Sequence, residues 1–114
     1  TRATILLFFL LVSQVFAQGS FDEYEHGNVN INGVKIHYRI EGKGKPILLM
    51  HGWLGTSYTW RKVAPMFVKE GYQVIIPDMK GYGDSDKPEN GYDSLTLAKE
   101  MRELLKVLNI KEKV

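Results

Sequence analysis

The chain contains no cysteine. That excludes a disulfide framework, a thiolate nucleophile and any zinc or iron–sulfur centre built on sulfur ligands. Only three histidines are present, too few by themselves for a metal cage. A dominant charge sign is also missing: 15 Lys and Arg stand against 13 Asp and Glu, a formal net charge of +2. Attachment to nucleic acid or to a membrane surface by charge alone is thereby excluded. What remains is ordinary globular composition, 44% hydrophobic and 25% charged over 114 residues.

Long apolar runs are scarce, and the longest lies at the start. The chain begins at Thr1 rather than Met, as a sequence opening inside its reading frame would. Arg2 precedes the apolar stretch Ile5 to Val12, and Val15-x-Ala17 satisfies the small-residue rule for leader cleavage. Residues 1–17 therefore read as a secretory signal peptide, too short to span about 30 Å of hydrocarbon comfortably. The expectation is an exported protein, secreted or periplasmic, with no stable membrane anchor after cleavage. Residues 18–27, with Asp22, Glu23 and Glu25, show no apolar period and read as a flexible acidic lead-in. His26, in that tail, is expected to be solvated.

From residue 28 to 114 the pattern becomes that of a folded domain. Val29, Ile31, Val34, Ile36, Tyr38 and Ile40 alternate with polar residues around Asn32-Gly33, a strong hairpin signal. His37 falls opposite Ile36 and Tyr38 and is expected to face solvent. Glu41 to Lys45 reads as a loop, since P-loop spacing is absent. Pro46 to Met50 and Val74 to Ile76 are short continuous apolar runs, as in strands covered on both faces. Between them, Trp60, Val63, Ala64, Phe67 and Val68 form a helical stripe. Pro65 suits the opening of a second helical piece, and Gly71 a helix stop. Leu97 to Leu108 is the clearest helix. Leu97, Ala98, Met101, Leu104, Leu105 and Leu108 share one face, with Ser94 or Thr96 able to cap it. An antiparallel hairpin followed by strand, helix, strand, helix predicts an α/β fold with a parallel sheet. Two buried parallel strands need further neighbours, so the chain reads as the N-terminal part of a longer protein.

Chemistry concentrates after each buried strand, where open α/β sheets gather their ligands. The first place is His51-Gly52-Trp53-Leu54-Gly55, a glycine turn able to aim a main-chain N–H at developing negative charge. The second runs from Asp78 to Pro88. Its Gly81-x-Gly83 is not a dinucleotide fingerprint, because the third glycine's place is Asp86. Its acids lack the EF-hand register.

His51-Gly52-Trp53 after one apolar strand and Asp78-x-x-Gly81-x-Gly83-x-Ser85-Asp86-Lys87-Pro88 after the next resemble the α/β-hydrolase superfamily. Trp60, Gly71 to Asp78 and the phrase from Asp78 to Gly83 look most like epoxide hydrolases, with haloalkane and haloacetate dehalogenases as near relatives. The resemblance implies an α/β-hydrolase fold and hydrolysis of a small-molecule substrate through a covalent ester, with no metal or organic cofactor. It implies that Trp53 lends its backbone N–H to an oxyanion hole, and that Trp53 and Leu54 line the substrate pocket. His51 and Gly52 shape the turn, His51 as a hydrogen-bonded residue rather than a base. Asp78, Gly81, Gly83 and Ser85 form a structural loop. Nucleophile, acid and base are expected beyond Val114, so the 114 residues alone are expected to be inactive. One position departs from the family: Leu54 stands where epoxide hydrolases carry the proline of H-G-x-P. This keeps open a serine carboxylesterase or lipase-like enzyme on the same scaffold, or a non-catalytic hydrolase-like binding protein.

Overall fold

A computed structural model describes residues 20–114, so the leader expected at residues 1–17 lies outside the described residues. Among these, no helix is long and apolar enough to cross a membrane. Four strands, β1 (Glu25–Ile31), β2 (Val34–Glu41), β3 (Lys45–Leu48) and β4 (Tyr72–Pro77), form one sheet in the order β1-β2-β4-β3. The β1–β2 hairpin is antiparallel and turns through Asn32 and Gly33, whose φ values of 52° and 85° satisfy the left-handed positions of the turn. β2 pairs antiparallel and β3 parallel with β4.

β4 sits between two neighbours with both faces covered, and Val74, Ile75 and Ile76 are fully buried. Its alternation splits the core. Val74 and Ile76 pack with Leu49, Ala64, Phe21 and Tyr24 on one face. Ile75 packs with Ile31, Ile36, Met101 and Leu104 on the other. The stripe between β3 and β4 resolves into a 3-10 turn, Ser57–Trp60, and a short helix α1 (Ala64–Lys69) with Pro65 in its first turn. α1 ends at Gly71, with φ 89°. Helix α2 (Ser94–Val107) covers the opposite face, and its cap is neither Ser94 nor Thr96. Asp93 precedes both, and its carboxylate accepts the Thr96 N–H at 3.0 Å.

Three expectations are corrected. Residues 20–27 are not a loose lead-in: Phe21 and Tyr24 are buried against the sheet, and β1 already begins at Glu25. Two aromatic side chains offer enough apolar surface to dock a segment that charge counting alone reads as a tail. His37 does not face solvent; it is 5% exposed, because the Ser57 turn and the loop after β4 cover its side of β2. On α2, Ala98 is exposed and Glu100 buried, since Lys80 reaches up to pair with that carboxylate.

Candidate active site

The last sheet bond on β3's course is Leu49 N–H to the Ile75 carbonyl, 2.9 Å. From Met50 the chain leaves the sheet and turns. Gly55 N–H reaches back to the Gly52 carbonyl at 3.1 Å, and Leu54 adopts φ 64°. A branched, non-glycine residue in the left-handed region stores strain, of a kind that gathers at functional turns.

The buried His51 side chain fixes this turn. Met79 donates its backbone N–H to His51 Nε2 at 2.9 Å, so the ring proton resides on Nδ1. Nδ1 lies 2.8 Å from the Gly52 carbonyl oxygen and donates to it. All peptide bonds here are trans, so a carbonyl drawn back toward His51 sends the N–H of the same peptide, that of Trp53, the opposite way. Among the described residues that N–H has no hydrogen-bond partner. Beside it lies an open cavity of about 260 Å³ whose walls include His51, Gly52, Trp53, Met79 and Tyr82. The Trp53 and Leu54 side chains are largely exposed, 84% and 75%. An N–H left without a partner beside a cavity is the kind of donor that stabilisation of a developing oxyanion requires.

The second loop is organised around Asp78, 2% exposed. Oδ1 accepts the Ser57 N–H at 2.6 Å, while Oδ2 accepts the Asp84 N–H at 3.1 Å and His37 Nδ1–H at 2.7 Å. Burial alone would raise its pKa. The backbone donors of Ser57 and Asp84, with the Ser57 and His37 side chains, outweigh that and hold the carboxyl below its ordinary value. Gly83, φ 52°, lets the loop close over this carboxylate; a Cβ there would stand 2.5 Å from Asp78 Cγ. Ser85, also buried, donates from Oγ to the Asp78 carbonyl at 2.6 Å and accepts the His37 N–H at 2.9 Å. Asp86 exchanges two bonds with the Lys35 backbone, each 2.8 Å. Gly81, φ 92°, donates its N–H to the Asp86 carbonyl at 2.9 Å. The loop thus continues the β4 side of the sheet along β2 and delivers Met79 to His51.

Two features went unread in the sequence. His37 Nε2 lies 2.7 Å from His26 Nδ1, and Arg39 Nη1 approaches the far nitrogen of His26 at 3.4 Å, so the surface histidine connects to the buried Asp78. Desolvation, then Arg39 and His37, lower the His26 pKa, with Asp84 and Asp78 opposing. Lys80 and Glu100 form a buried ion pair at 2.6 Å beside the cavity. Of the acid and imidazole groups, His37, Asp78 and Asp84 bring ligand atoms within 4.8 Å of one another. The Asp78 oxygens are already committed to three donors, which leaves them poor metal ligands.

The family described as alpha/beta hydrolase fold matches residues 45–114, which hold both loops. Over 83 residues the chain is 43% identical to the soluble epoxide hydrolase of Corynebacterium sp. (strain C12), covering 73% of this chain and 29% of that protein. The solved structure of epoxide hydrolase CorEH aligns with TM-score 0.72 and 44% identity over 75% of this chain and 30% of that one. Epoxide hydrolase VrEH1 from Vigna radiata aligns with TM-score 0.77 and 33% identity over 83% and 30%. The chain therefore spans under a third of the length of these relatives. The family match spans more than half of the chain, and the chain belongs to the alpha/beta hydrolase fold family.

Proposed function

We propose that this chain supplies the oxyanion-hole side of an α/β-hydrolase active site, and that the whole protein hydrolyses a small epoxide-like or halogenated substrate through a covalent ester. The observation that carries the reading is the Trp53 N–H, which has no partner among the described residues, belongs to the peptide whose carbonyl His51 holds, and lies beside the cavity that Trp53 lines. A carboxylate nucleophile beyond Val114 attacks a substrate carbon as its epoxide C–O or carbon–halogen bond breaks, the ring oxygen taking up a proton or the halide leaving, and the ester so formed passes through an oxyanion as water cleaves its acyl C–O bond. The Trp53 N–H then meets that oxyanion and the Trp53 side chain shapes the pocket, whereas Leu54, expected there too, stands outside the cavity wall. His51 holds the turn through contacts at both ring nitrogens. The likeness to epoxide hydrolases supports the substrate class.

One observation favours a second reading, a serine carboxylesterase. Leu54 holds φ 64°, which proline, fixed near about −65°, cannot adopt. The turn is thus shaped differently from the H-G-x-P turn that the epoxide-hydrolase resemblance implies.

The deciding experiment is to express the whole gene product, incubate it with an epoxide and with a p-nitrophenyl ester, and trap the covalent intermediate for mass spectrometry. An ester on an aspartate with epoxide turnover supports the first reading. An acyl group on serine supports the second. No turnover and no adduct with any substrate would leave a binding protein.

A further inference from the structure

Two Asn-Gly pairs occur in the described chain, Asn32-Gly33 and Asn90-Gly91, and their surroundings differ. Asn-Gly is open to an internal reaction because glycine has no Cβ to crowd a five-membered ring on its nitrogen. The Gly backbone nitrogen loses its proton and attacks the Asn Cγ. The new N–Cγ bond forms as the Cγ–Nδ2 bond breaks, and ammonia leaves with that proton. Water then opens the cyclic imide at either carbonyl, giving aspartate or isoaspartate. No oxidant, metal or enzyme enters the balance.

We infer that Asn90 is a site of spontaneous deamidation two residues from Tyr92 in the wall of the candidate active site, and that Asn32 is protected from the same chemistry. At Asn32 the attacking nitrogen is engaged: Gly33 N–H donates to Asn30 Oδ1 at 2.9 Å. Asn32 itself is locked at φ 52° between the paired residues Ile31 and Val34, so ring closure would require the hairpin turn to open. At Asn90 neither restraint exists. Asn90 is exposed, lies in no helix or strand and is outside the left-handed region. Among the described residues, neither the Gly91 N–H nor the Asn90 amide has a hydrogen-bond partner.

The position gives the reaction a consequence. Gly91 packs so closely on Lys80 that a Cβ there would stand 2.7 Å from Nζ. The Tyr92 ring lies 5.4 Å from the same ammonium, and its hydroxyl bonds the Pro88 carbonyl. Lys80 and Tyr92 both line the cavity beside His51 and Trp53. Deamidation adds a negative charge one residue from the Gly91 backbone that packs on Lys80. The isoaspartate form also lengthens the main chain by one carbon, which displaces Tyr92 from the cavity wall.

The test is a time course on the intact folded protein at mildly alkaline pH, with peptide mapping to count the one-mass-unit gain at each asparagine. A parallel sample in urea gives both rates without the fold. In the native protein Asn90 converts roughly tenfold or more faster than Asn32, as expected for a site lacking both restraints, and in urea the two rates converge. Asn30→Ala frees the Gly33 nitrogen; it speeds conversion at Asn32 and leaves the Asn90 rate unchanged. Equal native rates at the two sites, faster conversion of Asn32, or an Asn32 rate indifferent to Asn30→Ala would each overturn the assignment. None of these readouts depends on hydrolase activity.

Discussion

Met79 donates its backbone N–H to His51 Nε2 across 2.9 Å, and through that one bond the loop after β4 sets the protonation of the turn after β3. The proton left on Nδ1 holds the Gly52 carbonyl, and the Gly52 carbonyl decides where the Trp53 N–H points. Two segments 28 residues apart in sequence thus determine one peptide orientation.

His51→Ala removes both bonds. The half-buried Met79 N–H loses its partner, which costs on the order of 1 kcal/mol of stability and lowers the melting temperature. The Gly52 carbonyl also loses its main restraint, so an oxyanion donor becomes mobile. In the whole protein kcat should fall roughly ten- to a hundredfold with KM little changed, less than complete loss of such a donor. Trp53→Ala, which keeps the backbone N–H and removes the indole, should do the reverse: KM rises and kcat is largely kept. Steady-state kinetics on both variants separates the two roles; a kcat loss in Trp53→Ala matching that of His51→Ala would refute the division.

Stability should fall with acid in two stages. The His26 pKa is lowered in the folded chain, so below its ordinary value of 6.5 the unfolded chain binds the proton first and the fold loses stability as pH drops. Asp78 is also lowered, so its contribution is full above 3.8 and is lost as pH falls from there through the folded value. Melting temperature against pH should show an upper limb beginning near 6.5 and a lower one below 3.8. His26→Gln should flatten the upper limb and leave the lower; an unchanged upper limb would show that other groups cause it.

Gly83 and Gly33 share positive φ, 52° and 85°, and differ in what surrounds them. Around Gly33 nothing lies within 4 Å of a built Cβ, so Gly33→Ala should cost only the left-handed strain, about 1–2 kcal/mol. At Gly83 the Cβ would run into the Asp78 carboxylate, which three donors hold in place. Gly83→Ala should therefore cost roughly 3–5 kcal/mol, the scale for disrupting a buried charge's partners. Urea midpoints compare the two directly. Equal costs would mean that the loop yields rather than clamps.

Much of this framework could be read from local residues. Asn32-Gly33 gave the hairpin turn, Pro65 and Gly71 bounded α1, and the unbroken Val74 to Ile76 run announced a strand covered twice. These signals work because backbone conformation and burial period are local properties. What escaped depends on distant partners. His37 alternates like a solvent-facing residue, and only Asp78, 41 residues away, and Ser85 reveal that its face is covered. Phe21 and Tyr24 sit among acids that suggested a tail, yet they fill a core made by β4. His51 and Trp53 are singled out in the sequence by their place after a strand, while the hydrogen bond that fixes the His51 ring required Met79 in space. Glu100 had no local signal, since a glutamate on a helix is ordinarily solvated.

That buried Glu100 carries the last prediction. Lys80 and Glu100 meet at 2.6 Å with both side chains almost wholly enclosed, and among the described residues Glu100 Oε2 has no hydrogen-bond partner. Desolvating two charges offsets most of their attraction unless every remaining lone pair is satisfied, and here one is not. The pair is therefore a poor stabiliser as a unit but costly to split. Lys80→Met alone should destabilise by about 3–5 kcal/mol, because it strands a buried carboxylate. Glu100→Leu alone should cost a similar amount by stranding the ammonium, eased a little by the Tyr92 ring 5.4 Å away. The double variant Lys80→Met with Glu100→Leu should recover most of that loss and come close to the parent. Chemical denaturation of all four proteins gives the coupling energy directly. If the double variant loses as much as the two singles summed, the coupling energy is zero and the two groups do not act as a pair, which would refute this account.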